Sequence, residues 1–110
     1  MTLGELLQQM NGHLQFPVLE GDPAETLAKA QDGTHGDPIV GEIVRAIAAR
    51  CERPEVDCPL ERASVIASLG PMRLKYMADD APVEGFRKLE QLVQAIDAAF
   101  NDEALRLKQG

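Results

Sequence analysis

PVEGFRKLEQLVQAIDAAFNDEALRL, residues 82–107, is the stretch that decides the fold. Its large apolar residues recur at alternating steps of three and four, which places them along one stripe of a helix. Glu103 alone breaks that register. The members of the stripe are Phe86, Leu89, Val93, Ile96, Phe100 and Leu107, and Leu92 and Ala99 widen it. We therefore predict a long C-terminal helix that buries this face against other helices of a bundle.

PIVGEIVRAIAARCE, residues 38–52, is the second informative stretch. Its apolar positions cover more than half of a helical circumference, which is typical of a helix with several neighbours. We expect this helix to be central and buried. Asp37 precedes Pro38, and aspartate is a favoured N-cap residue while proline suits the first helical position. The same Gly-Asp-Pro start at residues 21–23 predicts a shorter helix that ends near Gln31.

The remaining segments also have helical character. Thr2 and Glu5 fit a capping box before a short apolar helix. A helix from residue 59 or 60 to Leu69 is interrupted at Gly70, and a further turn or two follows. The residues of that helix expected to point inward are Leu60, Ala63, Ile66 and Ala67. No convincing pair of alternating strands is found, so the chain is predicted to be all-α. We expect a small bundle of about four to six helices in one domain over residues 1–110.

Residues 13–21 and 53–59 are predicted to be irregular connections, because each contains proline and polar residues between helical patterns. In the first connection we expect the apolar side chains to tuck against the bundle. These side chains are Leu14, Phe16, Val18 and Leu19.

Composition restricts the function classes. Eleven basic residues stand against 18 acidic ones, which gives a net charge of −7. Such a charge repels the phosphate backbone, so direct nucleic-acid binding is not expected. No apolar run approaches the ~20 residues of a membrane span, and residues 1–5 do not resemble a secretion signal. We therefore expect a cytoplasmic protein without a membrane partner.

Cys51 and Cys58 have three alternative roles. With His13 and His35 they supply zinc-type ligands, but these residues are scattered and lack the close pairs that zinc sites usually contain. A disulfide across the proline-bounded loop is an alternative under oxidising conditions. We expect both cysteines to be reduced, with Cys51 buried.

The segment from Asp32 to Asp37 looks most like a catalytic loop, because His35 stands there among glycines and carboxylates. Carboxylates tune an imidazole for metal or acid–base chemistry. A polar turn with Asp37 as N-cap explains the same residues, and we favour it. No nucleophile or phosphate-binding motif is present, so no cofactor is expected and no catalytic residue is assigned.

Function is predicted as a non-enzymatic protein interaction or regulatory module that forms a homodimer through its C-terminal helix. A 110-residue bundle offers little to cover the far end of the stripe at Phe100 and Leu107, whereas a second copy would cover it. Met72, Tyr76 and Met77 either form a docking patch for another protein or lie in the core. The alternatives are an acidic decoy that inhibits a nucleic-acid-binding protein and a small metal-dependent enzyme that uses the Asp32-His35-Asp37 loop.

Overall fold

A computed structural model describes residues 1–51 and 57–109 and folds them into six helices. The helices are α1 (Leu3–Gly12), α2 (Pro23–Asp32), α3 (Pro38–Ala48), α4 (Arg62–Ser68), α5 (Gly70–Met77) and α6 (Val83–Gln109). No strand forms in the described residues, where Thr2 and Pro59 make an isolated antiparallel bridge. The prediction of an all-α bundle is confirmed, and the single domain stays a prediction. None of the described helices is long and apolar enough to cross a membrane.

The helix starts follow the predicted caps. The side chains of Thr2, Asp22 and Asp37 each accept a hydrogen bond from a backbone amide in the first turn of α1, α2 and α3. These amides have no partner within the helix, so each cap stabilises its helix by about 1 kcal/mol. Gly33 ends α2 in the left-handed conformation, with φ 76°, which glycine adopts without strain.

Helix α3 is buried as predicted and packs against α2, α4 and α6. Its buried residues are Val40, Gly41, Ile43, Val44, Ile47 and Ala48. The helix ends at Ala48 rather than at residue 52, which itself lies outside the described residues. The amides of Arg50 and Cys51 bond to carbonyls three residues back instead of four, so the chain tightens into turns and leaves the helix.

Helix α6 begins and ends close to the predicted limits, and four residues of the predicted stripe are buried: Leu89, Leu92, Ile96 and Ala99. Phe86, Val93 and Phe100 are only half-buried at the edge of this stripe. The core of the stripe is formed by Gly85, Leu89, Leu92, Ile96 and Ala99. Gly85 at one end of the stripe leaves room for the Tyr76 ring, which packs closely against it.

Helix α4 buries only part of the predicted face. Ile66 packs against the core at its edge, as expected, and Val65, Ser68 and Leu69 are buried. The prediction was wrong for Ala63 and Ala67, which are exposed, and for the helix start at residue 59 or 60. The start lies at Arg62, and Leu60, which is buried as expected, is held outside the helix by a hydrogen bond from its amide to the Met1 carbonyl, at 2.7 Å.

The first predicted connection packs as expected. Val18 is fully buried, and Leu14, Phe16 and Leu19 pack against the core at its edge. The Asn11 side chain accepts hydrogen bonds from the amides of Val18 and Leu19, which fixes the connection beside the end of α1. The second connection is described only from Asp57 onward, and residues 53–56 of that prediction lie outside the described residues.

The cysteines are joined in a disulfide, with their Cα atoms 6.3 Å apart. The prediction that both are reduced was therefore wrong, and the alternative of a disulfide holds. That separation lies in the ordinary range for a disulfide. The Thr2–Pro59 bridge fixes the chain next to Cys58, and sequence spacing alone contains no signal for that long-range pairing.

Candidate functional site

His35 is a buried structural histidine. Its Nε2–H donates to the Val18 carbonyl at 2.8 Å, and its Nδ1 accepts from the Asp37 amide at 3.0 Å. These two partners assign the neutral tautomer with the proton on Nε2. Because both ring nitrogens are occupied by backbone groups, the imidazole is not free to bind a metal or to move a proton.

The two aspartates of the predicted loop do not complete a site around this histidine. Asp32 is exposed at the end of α2. Asp37 caps α3 and also accepts a hydrogen bond from Lys88 of α6. No group of three potential metal ligands is found among residues 1–51 and 57–109. The structure therefore gives this segment the role of the favoured polar turn.

Two carboxylates beside this turn have shifted pKa values. Burial raises the pKa of the Asp37 carboxyl, but hydrogen bonds from Lys88 and from the amides of Val40 and Ile39 outweigh burial and hold it below 3.8. The Gly36 amide, which donates to Glu20 at 2.6 Å, is the main reason that the pKa of Glu20 lies below 4.5. Both carboxylates thus connect the turn to its neighbours in their charged form.

The large exposed apolar side chains of the described residues lie in two groups. Leu74 (75% exposed), Met77 (62%) and Val83 (67%) flank the connection between α5 and α6, and we call them the α6-start patch. Leu105 (56%) and Leu107 (75%) stand two residues apart near the end of α6 and point to different sides of it, and we call this pair the α6-end patch. Since α6 rises 1.5 Å per residue, about 33 Å of helix separates Val83 from Leu105. Exposed apolar groups of this kind are typical of binding surfaces.

The five predicted interaction residues are divided between these patches and the core. Met77 belongs to the α6-start patch and Leu107 to the α6-end patch. Met72 is buried in the core, and Phe100 is half-buried against it. Tyr76 is also half-buried, and its hydroxyl donates to Glu42 at 2.9 Å.

Sequence reasoning missed Leu74, Val83 and Leu105. Leu74 and Met77 are three residues apart on α5, so both side chains lie on one face of that helix. This spacing is the signal that could have identified Leu74. Val83 and Leu105 stand at helix ends, where periodicity carries no information about burial. Only the folded chain shows that these side chains are left uncovered.

The far end of α6 extends past its last ion pairs with the rest of the molecule. The Met1 ammonium lies 3.3 Å from Glu103, and His13 contacts Asp102 at 2.8 Å. Beyond these contacts residues 104–108 are all exposed. At about 40 Å, α6 is longer than the 26 and 27 Å short axes of the molecule. The α6-end patch therefore lies on a helix terminus with open surroundings.

A groove of about 430 Å³ runs between α3 and the α4–α5 pair. Ala46, Ala49 and Met72 form its apolar part, and Arg45 lines it as well. The Glu42 carboxylate in this groove already accepts hydrogen bonds from α5, so it does not face an open reaction site. The groove contains none of the paired acid and base groups that general acid–base catalysis needs.

Ion pairs spread across the molecule offset part of its negative charge. Lys29 pairs with Glu20, Lys75 with Glu42, and Arg62 with Asp97. Among the described residues, Asp37, Glu84 and Glu103 also have cationic neighbours. Positive groups are thus interspersed among the acidic side chains on several elements.

Comparisons with family models, with curated proteins and with solved structures find no match for this chain. The fold and the exposed apolar residues are therefore the basis for a functional proposal.

Proposed function

We propose that the protein is a non-enzymatic interaction module that forms a homodimer at the α6-end patch and binds a second protein at the α6-start patch. One observation carries this proposal: the large exposed apolar side chains of the described residues belong to α5 with the first residue of α6, and to the far end of α6. Because about 33 Å of helix separates the patches, the two contacts do not compete for the same surface.

The exposed end of α6 supports the homodimer contact. Phe100 and Leu107 are seven residues apart, which is the spacing that a partner helix covers. Leu107 is 75% exposed within one chain, and residues 104–108 are all exposed. Burying its side chain against a second copy would contribute about 1.5–3 kcal/mol per chain.

The α6-start patch supports the contact with a second protein. Leu74 and Met77 share one face of α5, and the first residue of α6, Val83, lies just beyond the connection. Methionine adapts its shape to different apolar partners. The basic residues Arg73 and Lys75 lie close by in sequence, so a partner with an apolar centre and an acidic rim fits this surface.

The two alternative functions have weaker support. An acidic decoy needs a continuous negative face, whereas the ion pairs place positive groups among the carboxylates. An enzyme built on the Asp32-His35-Asp37 loop needs an available imidazole, whereas both nitrogens of His35 are already hydrogen-bonded. We therefore rank both below the interaction module.

Cytoplasmic localisation stays a prediction. The Cys51–Cys58 disulfide bears on it, because disulfides persist in oxidising compartments and are usually transient or redox-sensing in the cytosol. A cytoplasmic location would therefore imply that this disulfide responds to the cellular redox state.

The partner contact is tested by affinity capture with quantitative mass spectrometry. Wild-type protein is compared with the α6-start variant Leu74→Ser/Met77→Ser/Val83→Ser and with the α6-end variant Leu105→Ser/Leu107→Ser. All five positions are exposed, so circular dichroism should show the same helix content in the three proteins. We expect one partner that the wild type and the α6-end variant retain and the α6-start variant loses. Equal retention by both variants would contradict the proposed contact.

A further inference from the structure

The disulfide joins the end of α3 to the segment that holds the N-terminus. Cys51 follows α3, and Cys58 belongs to residues 58–60, which we call the bridge segment. The Leu3 amide donates to the Cys58 carbonyl at 3.0 Å, and the Leu60 amide donates to the Met1 carbonyl at 2.7 Å. The backbone of residues 1–3 is therefore paired with the bridge segment, and the sulfur–sulfur bond ties this pair to α3.

The N-terminus is packed at this junction. The Met1 side chain is fully buried, and Leu3 and Leu60 are buried core residues. The Met1 ammonium also pairs with Glu103 of α6. Leu3 is the first residue of α1, so its amide has no partner within the helix and depends on the Cys58 carbonyl. The bridge segment thus connects α3, the start of α1 and the end of α6.

Both cysteines are only partly buried, so a small thiol can reach the disulfide. One thiolate of a dithiol reductant attacks a sulfur of the disulfide, which forms a mixed disulfide and releases one cysteine thiolate. The second thiolate of the reductant then attacks the reductant sulfur of the mixed disulfide, which closes the oxidised dithiol and releases the other cysteine thiolate. The balanced reaction converts the Cys51–Cys58 disulfide and one dithiol into two protein thiols and one oxidised dithiol.

We propose that the Cys51–Cys58 disulfide is a redox-sensitive clamp whose reduction by a dithiol releases the bridge segment and residues 1–3 from the bundle. Once the bond is broken, the contacts that the described residues provide at this junction are the two backbone hydrogen bonds, the ammonium–Glu103 pair and local packing. The centre of α3 does not depend on the clamp, because Ile43 and Ile47 are buried among several helices. Release is therefore a local opening and the rest of the bundle stays folded.

Amide hydrogen exchange of the full-length protein, with and without dithiothreitol, tests the clamp. On reduction we expect protection of the Leu3 and Leu60 amides to fall about tenfold more than that of the Ile43 and Ile47 amides. The Cys51→Ser/Cys58→Ser variant should show the reduced pattern without dithiothreitol and should not respond to it.

Three results would overturn the clamp. An equal fall at all four amides would mean that the disulfide stabilises the whole fold evenly. No fall at Leu3 and Leu60 would mean that the bridge segment holds without it. Loss of the helical circular dichroism signal on reduction would mean that opening is global. The wild-type measurement decides among these results even where the double serine variant fails to fold.

Discussion

Asp37 connects three parts of the molecule through its carboxylate and its backbone amide. It caps α3, accepts a hydrogen bond from Lys88 of α6, and follows His35, whose Nδ1 accepts from the Asp37 amide. Its cap was predictable from the Gly-Asp-Pro sequence. The contact with Lys88 was not, because it depends on how α6 crosses the start of α3.

Lowering the pH should weaken the fold through Asp37 and Glu20. The pKa values of both carboxyls lie below 3.8 and 4.5, so their charged forms stabilise the folded state above these values. That contribution is lost as the pH falls through the lower folded-state pKa values. Urea unfolding between about pH 6 and pH 2.5 should show a falling free energy of unfolding. Asn retains an oxygen that can cap α3 but has no second oxygen for Lys88, so Asp37→Asn tests the charge together with the Lys88 contact. The variant should be less stable by about 1 kcal/mol at pH 6, and this difference should shrink as the pH falls towards 2.5. A pH-independent difference would contradict this assignment.

Gly85 is required by the close approach of Tyr76. A Cβ at this position would lie 2.8 Å from two carbons of the Tyr76 ring. Gly85→Ala should therefore cost about 1–3 kcal/mol by overpacking and displace the ring from Glu42. Gly12→Ala is the matched control, because nothing lies within 4 Å of its Cβ and alanine favours a helix. Chemical unfolding of both variants measures the effect. Equal stability of the two would show that the tyrosine ring moves aside freely.

Among the helices, two substitutions in α6 measure how much of its apolar stripe the bundle covers. Leu92 and Leu107 both belong to the predicted stripe, but Leu92 is fully buried and Leu107 is exposed. Leu92→Ala should lower the free energy of unfolding by about 2–5 kcal/mol, because it leaves a cavity in the core. Leu107→Ala should change it by less than about 0.5 kcal/mol when measured at a concentration where the chain is monomeric. A larger loss at Leu107 would mean that the far end of the stripe is covered within one chain.

The elements differ in how far sequence determines them. Caps and the apolar circumference of α3 are local signals, so the helices and the central helix were predictable. The buried face of α4 was not, because Leu60 is held by the Met1 carbonyl rather than by the helix. The disulfide was missed for the same kind of reason, since the Thr2–Pro59 bridge joins residues far apart in sequence.

The candidate surfaces show the same division. Met77 and Leu107 are exposed, as a docking role requires, whereas Met72 and Phe100 turn towards the core. A wide apolar stripe has two edges, and periodicity does not say which edge the neighbouring helices cover. The sequence therefore predicts which helix faces are apolar, but not which residues on those faces are exposed.

At the scale of the whole molecule, the net charge of −7 combines with two apolar patches at the ends of one helix. The negative charge disfavours non-specific association between copies, so dimerisation requires a defined apolar contact. Raising the salt concentration should screen this repulsion and strengthen the dimer. Sedimentation velocity at low and high salt measures this change, and weaker association at high salt would indicate that ion pairs, rather than the patch, hold the copies together.

Light scattering coupled to size-exclusion chromatography over a range of protein concentrations tests whether the chain dimerises through the α6-end patch. The wild type and the Leu74→Ser/Met77→Ser/Val83→Ser variant should both reach twice the 12.0 kDa mass of the chain as the concentration rises. The Leu105→Ser/Leu107→Ser variant should stay at 12.0 kDa. A wild-type mass of 12.0 kDa at every concentration, or a dimer that survives the loss of Leu105 and Leu107, would contradict the account.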